Sequence, residues 1–150
     1  MIGLNPSTAD KDKSDRTITR VRKYSEGNFD GFFMINLSAQ RTPHPSDLSQ
    51  QLDSDLRDEN LLHIKEMFSS YPAITILAAW GNNINRHPYL RESLKAIVEL
   101  TLTKEVTWKH IGPHGTKMGQ PRHPGRGAYQ ELQSFSIRDY LSNNLRPPGP

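Results

Sequence analysis

Four short polar blocks carry the residue types from which a binding or catalytic cleft is built. They are Gly3-Leu4-Asn5-Pro6-Ser7-Thr8-Ala9-Asp10, Asn36 with Ser38-Ala39-Gln40-Arg41, Ala79-Trp80-Gly81-Asn82-Asn83, and Lys117-Met118-Gly119-Gln120-Pro121-Arg122-His123-Pro124. Asn5 can orient a water or a substrate carbonyl, while the amides around Pro6, Ser7 and Thr8 offer an anion nest. A turn in which Asn and Ser bond the backbone and Pro fixes φ accounts for the same residues equally well. Asn36 offers a donor and an acceptor together, which suits the edge of a nucleobase; it could equally bridge a strand end to its neighbour. Trp80, like Phe33, offers a flat ring for stacking, although tryptophan is more often core, and Gly81 permits a tight turn. His123, held between Arg122 and Pro124, can aim an imidazole donor at developing negative charge, or lie in a plain surface loop.

Other constellations are weaker. His110 and His114 have four-residue spacing, but Gly112 and Pro113 break any helix between them, so no metal pair is expected. Ser7, His123 and Asp10 or Asp15 hold the residue types of a hydrolase triad, without the strained nucleophile elbow such a site needs around its serine. Asp10, Asp12 and Asp15 fit a divalent ion less well than a solvated loop. Asp10 is kept as a catalytic candidate beside Asn5 and His123. Cysteine is absent, which excludes disulfides, zinc–thiolate sites and iron–sulfur clusters. No metal or cofactor is expected.

The elements that must position these blocks are legible from periodicity. Apolar runs at Met1-Ile2, Phe32 to Leu37, Ile74 to Trp80 and Val106 to Ile111 predict strands. The third shows no alternation, as expected of a strand covered on both faces. Between them lie helical patterns. Asp15 can cap a helix with Ile18, Val21 and Tyr24 on one side. Leu56, Asn60, Ile64 and Phe68 mark a second helix, and Leu90, Leu94, Ile97 and Val98 a third. Leu132, Phe135 and Leu141 suggest a last one. Alternation of this kind predicts an α/β fold with a mostly parallel sheet and helices on both faces. In such sheets ligands settle outside the carboxyl ends of the strands, where all four polar blocks fall.

Composition bounds the rest. The chain has 150 residues, 34% of them apolar, with 10 Gly and 11 Pro. That fits a compact core with long polar loops, expected as one domain over residues 1–145 and a flexible tail over 146–150. The net charge is +3, and the stretch from Lys104 to Arg126 is basic, with Glu105 its one acid. Lys117, Arg122 and Arg126 are therefore candidate phosphate contacts, with a solvated loop the alternative. No apolar run is long enough for a membrane span and no leader opens the chain, so a cytoplasmic protein is expected. The first strand has almost no residues before its exit loop, as if upstream sequence were missing.

The succession Asn-Pro-Ser-Thr-Ala-Asp, Asn-Leu plus an Arg, Ala-Trp-Gly and Gly-Gln-Pro-Arg-His-Pro resembles the bacterial and phage family called Domain of Unknown Function 1643. At longer range the blocks look like the uracil-DNA glycosylase superfamily. Gly3-Leu4-Asn5-Pro6 is similar to its water-activating block, Phe33-Met34-Ile35-Asn36 to the strand supplying a base-reading Asn, Leu77-Ala78-Ala79-Trp80-Gly81 to a Leu-Trp-Gly strand end, and His123-Pro124 to a late His-Pro-Ser block. Gly125 stands where that block has Ser, and no apolar wedge for a flipped base is evident. The resemblance implies a three-layer α/β/α sandwich around a four-stranded sheet of order 2-1-3-4. It also implies hydrolysis of the N-glycosidic bond of a modified base in DNA or a nucleotide. Asn5 would position water, Asn36 read the base, Trp80 or Phe33 stack on it, and His123 support it as it leaves. Pro6, Ser7, Thr8, Arg41, Gly81, Asn82 and Arg122 would line the substrate. The alternative is a non-catalytic module binding a nucleotide or nucleic acid through the same cleft, as in phage–host conflict.

Overall fold

The computed structural model describes residues 1–6 and 11–144, and of residues 11–15 the backbone alone. The order of elements is β1 (Ile2–Gly3), α1 (Lys11–Ser25), β2 (Ile35–Asn36), α2 (Ser54–Ser69), β3 (Ala73–Leu77), α3 (Pro88–Glu99), β4 (Glu105–Ile111), β5 (Leu132–Ser134) and α4 (Ile137–Asn144), with short 3-10 turns at Pro45–Asp47 and Asn82–Asn85. The fold is a mixed α/β one.

The strands form two small sheets rather than the expected single four-stranded one. β1 pairs in parallel with β2; β3 pairs in parallel with β4, and β4 antiparallel with β5. One parallel bridge, Ile2 to Ala78, joins the two sheets, with Ala79 N–H donating to Ile2 O over 3.0 Å. Sequence accounts for the interruption. β1 gives way at once to Asn5-Pro6, and proline has no N–H to extend a ladder. The run from Phe32 contributes only Ile35 and Asn36 as strand. The last helix begins at Ile137, not Leu132, because residues 132–134 hydrogen-bond along β4. Ser136 Oγ then caps that helix by accepting from Asp139 N–H at 3.2 Å. Asp15 lies inside α1 instead of capping it. The expected tail, 146–150, falls outside the described residues.

Alternation along β3 sorts the core into two clusters. Ile76, Ala78 and Trp80 pack with Ile64 and Phe68 of α2, Leu90, Leu94 and Ile97 of α3 and Tyr140 of α4. Leu77 and Ala79 pack instead with Tyr24 of α1 and Ile111. Helices therefore cover both faces, and a buried Ile or Leu here contributes roughly 1.5–3 kcal/mol. Asp53 sets where α2 begins: its carboxylate accepts from Leu56 N–H at 3.0 Å, a cap worth about 1 kcal/mol. Pro88 opens α3, where its missing N–H costs nothing.

β1 to β4 run parallel, so their carboxyl ends share one edge of the molecule. That edge carries the loops with Asn5, Gln40, Gly81 and His123. Among the described residues no helix is long and apolar enough to cross a membrane.

Candidate functional site

The loops at this edge are tied in two pairs. In the first, Asn5 Nδ2 donates to Thr42 Oγ1 at 2.9 Å, to Pro6 O at 3.1 Å and to Gln40 O at 3.3 Å. Thr42 is buried; its N–H donates to Pro6 O and its hydroxyl passes the chain on to His44 O at 2.8 Å. With three acceptors around its nitrogen, the Asn5 amide has one orientation, and Oδ1 is its accepting end.

In the second pair, Gly81 N–H donates to Pro121 O at 3.0 Å, and Thr116 Oγ1 donates to Asn82 Oδ1. Gly81 has φ +67°, a conformation that glycine adopts without strain. Beneath this junction runs a buried relay. Trp80 Nε1 donates to Tyr140 Oη at 3.0 Å, and Tyr140 Oη donates to Gln120 Oε1 at 2.5 Å. Burial pushes the Tyr140 hydroxyl pKa up to about 12, so it stays a donor; the bond from Trp80 and the charge of Arg91 only partly oppose this. Trp80 is 2% exposed, which corrects its assignment to stacking on a ligand: the ring is core. Phe33 is corrected for another reason. It packs against Tyr71, before β3, and so lies at the opposite end of the strands.

His123 is held on the α1 side. Gly125 N–H donates to His123 Nδ1 at 3.0 Å, so the neutral ring carries its proton on Nε2. Burial, helped by the nearby charge of Arg126, pushes the imidazole pKa down to about 4. A Cβ on Gly125 would stand 2.8 Å from Thr17 Oγ1 of α1. That is why glycine stands in this block.

Asn36 faces the same side. Ile2, Leu4 and Leu37 belong to the larger cluster, so alternation turns Gly3 and its register partner Asn36 toward α1. Asn36 Oδ1 fills the space that a side chain on Gly3 would need, 2.7 Å from its Cβ position. Asn36 also lines, with Ile35 at the edge of β2, a cavity of about 240 Å³ that meets Pro6, Met34, Asn60, His63 and Met67. Asn60 Nδ2 donates there to Asn36 O at 3.0 Å.

Arg41, Lys117, Arg122 and Arg126 are exposed around the edge, with Arg122 Nε donating to His114 O at 3.1 Å. Ser7, Thr8 and Asp10 lie outside the described residues. Among the described residues no cluster of three or more His, Asp or Glu could hold a metal ion.

Sequence reasoning missed Thr17, Arg20, Thr42 and Tyr140, and gave Gln120 no role of its own although its block was singled out. The i, i+3, i+7 spacing of Thr17, Arg20 and Tyr24 on one helix face was the available signal.

A family model described as Protein of unknown function (DUF1643) matches residues 1–125. No curated protein and no solved structure matches the chain.

Proposed function

We propose a function for a chain that belongs to the DUF1643 family of proteins of unknown function: it acts on a nucleobase-bearing substrate, breaking its N-glycosidic bond. The observation that carries this reading is His123, a partly buried imidazole whose Nδ1 is occupied by the Gly125 N–H. The ring is neutral at physiological pH and keeps one donor, Nε2–H. A neutral fixed donor suits a leaving base that departs with the electron pair of the C–N bond. A donor of this kind is typically worth about 3–4 kcal/mol of barrier.

In this reaction the glycosidic C–N bond breaks and the sugar carbon takes on oxocarbenium character. Water adds its oxygen there, and its proton ends on the base or in solvent. Asn5 orients that water through Oδ1, its amide nitrogen being anchored to the loop after β2. Asn36 meets the base edge from the same α1 side as His123. Arg41, Lys117, Arg122 and Arg126 supply phosphate contacts around the rim. The fold this reading carries is the glycosylase-like sandwich, with the two sheets acting as one layer across the Ile2–Ala78 bridge.

The test is to incubate the protein with modified single- and double-stranded oligonucleotides and free nucleotides, and to assay released base by mass spectrometry. Release that His123→Ala abolishes supports the reading; no release across the panel overturns it. A second reading, a binding module without chemistry, is favoured by the burial of Trp80, which removes the expected stacking surface. Saturable binding of one nucleotide with no product would establish it.

A further inference from the structure

Residues 124–127 follow His123 directly and include Gly125 and Gly127, the latter at φ +72°. Such a segment has many conformations open to it; Arg126 N–H closes its turn onto His123 O at 3.2 Å, and the rest of its restraint comes from outside. α1 imposes it. Arg20 Nη1 donates to Pro124 O at 2.7 Å and Arg126 O at 3.3 Å, and Nη2 donates to Gly127 O at 2.7 Å. Thr17, one turn earlier, packs against Gly125. The far end of the loop is held separately. Tyr24 Oη donates to Gln130 O at 2.7 Å, and the Tyr129 ring stacks on Tyr24 with Lys23 Nζ 4.3 Å from its centre.

We propose that Arg20 is the positioning residue for His123: by binding three carbonyls of its loop, it keeps the turn in which the Gly125 N–H meets His123 Nδ1. The planar guanidinium fits this task because its donors diverge from a rigid fork and span several carbonyls at once. A lysine ammonium supplies the charge without the fork. Arg20 acts on the reaction only through the ring's tautomer. This rests on the reading of His123 as a neutral Nε2–H donor.

The tautomer is measurable without substrate. In ¹⁵N-resolved spectra of the imidazole the protein should show one species, with the proton on Nε2, and a slowly exchanging Gly125 amide. Arg20→Ala should mix the Nδ1–H and Nε2–H forms and speed Gly125 exchange by about tenfold or more. Tyr24→Phe, which frees only the far end, should leave both readouts unchanged. An unaltered tautomer and exchange rate in Arg20→Ala overturn the proposal. So does a wild-type tautomer in Arg20→Lys, the variant that decides the matter if Arg20→Ala does not fold. A protein that keeps the Nε2–H ring but releases no base defeats the proposed reaction and leaves the role of Arg20 standing.

Discussion

Gly125 N–H donates to His123 Nδ1 across 3.0 Å, while any side chain at Gly125 would stand 3.0 Å from that nitrogen and 2.8 Å from Thr17 Oγ1. The two residues thus form one unit, wedged against α1, in which the glycine fixes the tautomer and its lack of a side chain admits the ring.

Gly125→Ala should therefore destabilise the protein by about 1–3 kcal/mol through overpacking and lower turnover as the ring is displaced. Thr17→Ala removes one of the two clashing neighbours, so the double variant should regain part of the loss. Urea titrations of the four proteins in the cycle give the coupling; strict additivity would mean that Thr17 does not wedge the loop.

Acid should weaken the fold through His123. Its ordinary pKa of about 6.5 falls to about 4 in the folded protein. Between those values the unfolded chain binds a proton that the folded chain refuses, so stability rises with pH and is lost as pH falls from 6.5 toward 4. The shift corresponds to roughly 3 kcal/mol at most. Denaturation at pH 7, 5.5 and 4 measures the slope, which His123→Gln should flatten. Turnover that depends on the neutral ring should stay level from about pH 5 upward.

Tyr140→Phe should be costly out of proportion to one oxygen atom. It strands Trp80 Nε1 and Gln120 Oε1, both of which meet the hydroxyl in a buried relay. Each orphaned group costs about 1–3 kcal/mol. A change in Trp80 emission together with a lower urea midpoint is the expected signature; an unchanged midpoint would show that the relay contributes nothing.

Thr42→Val keeps the shape of the side chain and removes the acceptor nearest to Asn5 Nδ2. Turnover should drop several-fold with substrate affinity nearly unchanged, since Asn5 loses orientation rather than contact. Asn5→Ala should remove turnover and also lower stability, because Thr42 and two backbone carbonyls lose a shared donor.

Arg122→Ala should weaken binding to oligonucleotides across all sequences and reduce the slope of log K against log salt by about 1. A slope identical to wild type would place phosphate elsewhere on the rim.

What sequence could and could not disclose divides on physical lines. β3, α2 and α3 were legible because Ile74 to Trp80 and the stripes at Ile64–Phe68 and Leu90–Val98 are local patterns. β5 was not: Leu132, Phe135 and Leu141 suit a helix by spacing, and only pairing with β4 makes residues 132–134 a strand. The split of the sheet depends on how many ladder bonds two-residue strands can make, which periodicity does not report. Trp80 looked available because it adjoins Gly81, yet its environment is set by Tyr140, sixty positions later. Arg20 went unnoticed because its partners are backbone carbonyls, which carry no residue signature.

The bridge between Ile2 and Ala78 has a mechanical consequence. Asn5 follows β1 of one sheet and His123 lies beyond β4 of the other, so their separation is set across this seam, by the Ala79 N–H to Ile2 O bond together with the bonds of Arg20 and Tyr24 to residues 124–130. In the proposed reaction, a shift there by a fraction of an ångström would alter the reach from water to departing base.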